Sequence, residues 1–221
     1  MKESRKQNNA ALPKEELREK LYYLKRSIFH LFDGFYEIRF RRKGSTLLAV
    51  ALLLIFGVLR CVEHQYTGFI MNTNELQAMN SVSIFSTTVL VLVLFAVSNW
   101  TVTTLLNGSG NLPAIVTVLG YSLIPYMTGM IVKVFASNFI ILEEAMILNV
   151  IESLGLVWSV FMLVAGLLTI HEYTFGKNAA AILLTFVAAV IIVFIGMLFF
   201  TLIEQMVSFI VSVAQEMLRR M

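Results

Sequence analysis

Five uncharged or nearly uncharged runs, at residues 45–62, 82–106, 112–132, 146–170 and 179–203, dominate the sequence. Each can cross the hydrocarbon core of a bilayer as a helix, which takes roughly 17–25 predominantly apolar residues. Only Arg60, near the end of the first run, and Glu152, near the start of the fourth, interrupt them. Lipid offers no hydrogen bonds, so a spanning segment must satisfy its own backbone, and a helix does so within itself. The reading is an all-α integral membrane protein of about five transmembrane helices with amphipathic amino-terminal and carboxyl-terminal helices. Composition agrees, since 58% of the 221 residues are hydrophobic and 14% charged, an apolar load beyond that of ordinary soluble domains. Three parts follow: a basic amphipathic helix in 1–44, the five-span domain in 45–203 and an amphipathic helix in 204–221.

Charge gives an expected orientation. Twelve of the 17 Lys and Arg residues precede Ser45, and segments rich in these residues resist translocation. With the amino terminus in the cytoplasm, that side holds 13 of them, including Lys177, and the other side holds Arg60, Lys133, Arg219 and Arg220. Five spans then put the carboxyl terminus outside. The first apolar span begins near Ser45 rather than in the opening residues, so no cleaved signal peptide is expected. Cys61 is the only cysteine, which excludes an intramolecular disulfide and a cysteine-based metal cluster. Nucleic acid is not an expected partner, because the basic residues interleave with Leu, Ile, Phe and Tyr at helical spacing.

Ahead of the first span, Leu17, Leu21, Leu24, Ile28, Leu31, Phe35 and Ile38 are spaced alternately by four and three, a heptad stripe. Pro13 suits a first helical turn, Glu15 and Glu16 favour the positive end of a helix dipole, and Gly34 weakens the middle. Tyr22, Tyr23, Phe29, Phe32 and Tyr36 broaden the stripe, and Arg39, Arg41, Arg42 and Lys43 follow at the membrane edge. An interfacial helix contacting lipid or a partner protein is expected, with the seam and the four basic residues as its contact surface. At the other end, Glu204, Ser208, Ser212, Gln215 and Arg219 form a polar stripe. That tail extends or follows the fifth span as a surface helix.

Between the second and third spans lies Asn107-Gly-Ser-Gly-Asn111, a tight glycine hairpin, followed within the third span by Gly120, Tyr121 and Pro125. Glycine permits close approach of a neighbour and proline bends its helix, so the third span is expected to be bent and packed centrally against the second. Tyr121 is expected to bond a freed carbonyl or a polar group of the second span. The hairpin followed by Gly120-Tyr121 and Pro125, with Trp158 and His171-Glu-Tyr-Thr-Phe-Gly-Lys177 further on, resembles the Yip-one (Yip/Yif, Rab-interacting-protein-like) domain family, most closely its bacterial members. The resemblance covers about residues 31–203 and implies five spans, with a Gly-Tyr-x-x-x-Pro pattern in the third. Eukaryotic members, which act in vesicle traffic, carry an Asp-Leu-Tyr-Gly-Pro motif before the first span. Here only Asp33-Gly-Phe-Tyr36 occupies a comparable place, so the resemblance supplies no motif for expecting Rab-GTPase binding. The structural motif is Gly108, Gly110, Gly120, Tyr121 and Pro125.

No residue pattern calls for catalysis, a cofactor or a bound metal. Ser109 in its glycine turn would need an activating base, and His64 lies across the membrane while His171 ends the fourth span. A phosphate-binding loop would need a preceding strand and a following Lys. Adjacent His171 and Glu172 point in different directions along a helix, and His171 is expected to cap the fourth span. Glu152 is expected to pair with Lys133. Ser98, Asn99, Thr101, Thr103 and Thr104 are expected to make interhelical hydrogen bonds. The function expected is that of a non-enzymatic polytopic adaptor or accessory subunit of a membrane protein complex in the bacterial plasma membrane, such as an ABC-type transporter. Its partners would be membrane lipids, other membrane proteins and further copies of itself. The alternative is a small-solute transporter or channel formed by oligomerisation.

Overall fold

The computed structural model describes residues 14–41, 44–72 and 79–220, with the side chains at 14–17, 29 and 142 outside that description. Pro13, Arg42 and Lys43 therefore lie outside the described residues, as do the side chains of Glu15, Glu16 and Leu17. The chain is helical: α1 (Lys14–Phe29), α2 (Leu31–Phe40), α3 (Thr46–Tyr66), α4 (Ser81–Leu105), α5 (Leu112–Ser122), α6 (Ile124–Ala136), α7 (Ala145–His171) and α8 (Phe175–Arg220), with a short 3-10 turn at Leu142–Glu144. No strand occurs among the described residues. Five units are long and apolar enough to span a bilayer: α3, α4, α5 with α6, α7 and α8.

Local chemistry sets where the spans begin. The side chain of Ser45 accepts from the Leu48 amide at the start of α3, Asn80 does the same for Ser83 at α4, and Asn111 for Ala114 at α5. Each cap satisfies an amide that the first helical turn would leave without a partner. Pro113 occupies the first turn of α5, where its missing amide costs nothing. Glu172, with φ 55°, ends α7 in the left-handed conformation.

The third span is bent, as Pro125 requires. It divides at Leu123 into α5 and α6, with Pro125 in the first turn of α6, because proline removes an amide and clashes with the preceding turn. It is also central: 56% of its most apolar stretch is buried, against 11% for α4 and 6% for α8. Small residues let the neighbours close in. A Cβ at Gly120 would lie 2.7 Å from the Ala49 carbonyl oxygen of α3, and one at Gly155 of α7 would lie 2.7 Å from that of Pro125. These backbone approaches are the usual means of packing helices where no water drives them together. The partner at Gly120 is thus the first span, not the second. Tyr121 is likewise redirected: it is fully buried, and its hydroxyl accepts from the Ser45 amide at 3.2 Å. That bond joins the middle of the third span to the start of α3.

The seam before the first span does not form one helix. The chain breaks at His30, and α1 folds back on α2 so closely that a Cβ at Gly34 would collide with the Ser27 backbone. Gly34 is therefore the crossing point of two helices. On the bundle side, Leu31, Phe35 and Ile38 are buried in the main core with Ile115, Val118 and Met162, and Leu24 and Ile28 pack against it. The ring of Phe35 rests on Gly166 of α7. Trp158 of α7 donates to the Ile28 carbonyl oxygen at 3.3 Å. Outward, α1 and α2 show Leu21, Tyr22, Phe32, Tyr36 and Phe40.

The fifth span and the tail are one helix. Nothing interrupts α8 between Ile203 and Glu204, and its buried residues are Asn178, Ala181 and Thr185, all near its start.

Candidate functional site

Five crossings sort the chain ends and loops onto two faces. One face gathers α1, α2, the start of α3, the 107–111 loop, the start of α5 and the link between α7 and α8. There the sequence-predicted motif comes together with residues that spacing did not connect. Arg39, at the last turn of α2, donates through Nη2 to the Ser109 carbonyl oxygen. His171, 2% exposed, accepts at Nδ1 from the Gly110 amide at 3.2 Å. Its ring stacks on Tyr173 with centroids 5.3 Å apart, and the ammonium of Lys177 lies 4.2 Å above the Tyr173 ring, a cation–π arrangement. Tyr173 donates to the carbonyl oxygens of Thr103 and Leu106, each at 3.3 Å, tying the end of α4 to the α7–α8 link. Burial raises the Tyr173 phenol above its ordinary pKa, so it stays a neutral donor.

The loop glycines answer to this packing rather than to turn geometry. No glycine among the described residues has positive φ; in the loop only Asn107 does, at 53°. A Cβ at Gly108 would lie 2.5 Å from His171 Nδ1 and 2.7 Å from the Tyr173 hydroxyl, and one at Gly110 would lie 2.7 Å from His171 Cε1. The glycines admit the His171–Tyr173 stack beneath the loop. His171 is consequently engaged at Nδ1 by the Gly110 backbone. Among the described residues no group of three or more His, Cys, Asp or Glu side chains could hold a metal ion.

Glu37, 8% exposed, joins α1 to α2 through Arg26 at 3.6 Å and Arg41 at 3.9 Å. Arg39 and Arg41 thus have different surroundings two residues apart, the first turned to the loop and the second, exposed, to Glu37.

Toward the opposite face, Lys133 of α6 sits between Glu152 of α7 at 2.6 Å and Glu63 of α3 at 3.5 Å, and Arg60 pairs with Glu63. The expected Lys133–Glu152 pair is present, enlarged to a balanced set of two cations and two anions. In lipid such charges are tolerated when they face the bundle interior and neutralise one another. The polar end of α4 is less connected than expected. Asn99 donates to Thr185 of α8 at 3.0 Å, whereas Thr101, Thr103 and Thr104 bond to carbonyls one turn back in their own helix and the buried Ser98 Oγ has no partner among the described residues.

Fold and faces together define a polytopic, all-helical membrane protein whose polar groups are concentrated at the two ends of the bundle. Residues 25–197 match the model of the Yip1 domain family, and the chain belongs to that family. Its members are membrane proteins not known as enzymes. No curated protein and no solved structure matches the chain.

Proposed function

We propose that this chain is a non-enzymatic adaptor or accessory subunit, bound to other membrane proteins in a plasma membrane, with its amino terminus in the cytoplasm. The observation that carries this reading is α8. Its 46 residues extend about 69 Å at 1.5 Å per residue, roughly twice the 30 Å thickness of the hydrocarbon core. Beyond Thr185 every described residue is exposed or half-buried, and the second half still presents Phe199, Phe200, Met206, Phe209, Ile210 and Leu218. A helix this long, apolar to Ile203 and still carrying large exposed apolar side chains beside the polar stripe of its tail, presents more apolar surface than one ordinarily tilted crossing covers. A multispan transporter, of the ABC type among others, offers such a cover, and the outward aromatics of α1 and α2 add a second surface at the other face.

Native membranes solubilised gently would test this through the proteins that co-purify with wild type, with Phe209→Asp/Ile210→Asp, and with a chain neutralised at Arg39, Arg41, Arg42 and Lys43. The expected result is loss of partners in the α8 variant while the spans still insert. Retention of every partner in that variant would overturn the reading. The charge network at Lys133 favours a second one, a small-solute transporter or channel assembled from several copies. Solute flux from the purified chain in liposomes would replace the adaptor with it.

A further inference from the structure

The tail of α8 is patterned as well as long. Phe200, Ile203, Val207, Ile210, Ala214 and Met217 alternate in steps of three and four, the a and d positions of a heptad repeat. Val193 and Gly196 carry the alternation back into the span. The b positions Thr201, Ser208 and Gln215 and the f positions Gln205, Ser212 and Arg219 are all polar. An apolar seam with a polar back, sustained over three repeats, marks a helix that packs along another helix. Every residue from 197 to 220 is exposed, so no described residue of the chain itself fills that role.

Lipid does not cover the seam. A crossing that starts near Asn178 uses about 20 residues for a hydrocarbon core about 30 Å thick, so the tail extends past it. Nothing turns that tail onto the bilayer surface, because α8 is unbroken to Arg220 and no glycine or proline follows Gly196. Its charge does not suit an anionic surface either. Glu204 and Glu216 balance Arg219 and Arg220, and Arg220 pairs with Glu216 at 2.6 Å, whereas surface-lying helices are rich in Lys and Arg.

A second copy of the chain meets the seam without adjustment. Two copies in one membrane run α8 in the same direction and leave the bilayer at the same residue, so the membrane itself sets a parallel orientation and a common register. In that register each a position meets a and each d meets d, all of them apolar. On the flanks, Phe199, Met206 and Val213 of one copy come beside Glu204, Val211 and Leu218 of the other, and no like charges are opposed. The seam is also open where it enters the bilayer, since a Cβ at Gly196 would meet nothing within 4 Å.

We propose that the tail of α8 is a self-association seam, packed parallel and in register on the same segment of a second copy of this chain. The inference rests on the reading of α8 as a covered surface and names what covers its tail. Other membrane proteins then have α1, α2 and the intramembrane part of α8 to bind.

The test uses the full-length chain in native membranes, in a Cys61→Ser background, with single cysteines oxidised by copper phenanthroline. A disulfide needs Cα atoms within about 7 Å of each other. Ile203→Cys and Ile210→Cys should therefore give a crosslinked dimer several-fold more abundant than Ser208→Cys and Ser212→Cys, which lie on the polar back. Ile203→Glu combined with Ile210→Glu should reduce the purified assembly to the mass of one chain by light scattering. Its helical circular dichroism should be kept, because the tail has no buried residue to lose. Equal crosslinking at seam and back, crosslinks to a foreign protein alone, or an unchanged mass in the Glu variant overturns the proposal. Seam crosslinks with no foreign protein co-purifying would sink the adaptor reading alone, and foreign partners without seam crosslinks would sink this one alone.

Discussion

Gly110 has an ordinary backbone conformation and an extraordinary neighbour, since the His171 ring occupies the space where a Cβ would stand. Gly110→Ala is therefore expected to destabilise the protein by about 1–3 kcal/mol, the usual cost of overpacking. His171→Ala removes the obstacle, so the double variant should lose less than the sum of the two single losses. Thermal melts in detergent supply the cycle, and strictly additive losses would mean that the loop does not rest on His171. Gly120 faces a harder obstacle, because the atoms it meets, the carbonyl oxygen, Cα and Cβ of Ala49, cannot rotate away. Gly120→Leu should accordingly cost more than Tyr121→Phe, which forfeits only one hydrogen bond to the Ser45 amide, about 1 kcal/mol. Equal detergent stability of wild type and Gly120→Leu would refute the close contact of α5 with α3.

Elements are held together differently at the two ends of the bundle. Near the far face, Lys133 links α6 to α3 and α7, with its side chain 17% exposed and those of Glu63 and Glu152 12% and 15%. Removing one member of a buried set costs more than removing the set, because the remaining charges keep their desolvation penalty without its compensation. Lys133→Met is expected to destabilise by about 3–5 kcal/mol, and adding Glu152→Gln, which leaves the Arg60–Glu63 pair intact, should recover much of the loss. Should the double variant melt below Lys133→Met, the network would have a role other than mutual neutralisation. At the near face, α2 is secured by shape: Phe35 is fully buried and its ring rests on Gly166. The contrast follows from composition, since α2 carries an apolar seam into the core while α3, α6 and α7 each bring a charge to the same depth.

At the scale of the molecule, five crossings fix which loops share a side. In a Cys61→Ser background, cysteines at Ser109 and Lys177 should be labelled by a membrane-impermeant maleimide from one side, and those at Asn138 and Arg219 from the other. Labelling of Lys177→Cys and Arg219→Cys from the same side would contradict a single crossing by α8. Its length has a further consequence. No described residue of α8 beyond Thr185 is fully buried, so most of that helix contributes its surface to something outside the chain rather than to the fold.

Sequence alone determined the spans and the bend. Helix length and Pro125 act through the local backbone, and local chemistry is written in consecutive residues. It also placed Glu152 near Lys133, because loop lengths and alternation of spans bring the same depth of α6 and α7 together. The seam of Leu31, Phe35 and Ile38 was equally visible as an apolar face, but periodicity gives a face and not what covers it. Tertiary structure decided that the chain's own α5 and α7 cover it. The glycines at 108 and 110 read as turn residues, and only folding brought His171 and Tyr173 beneath them. Arg39 read as one of four basic residues at a membrane edge. Its separation from Arg41 arose because neighbours two apart on a helix face different ways, one to the 107–111 loop and the other to Glu37.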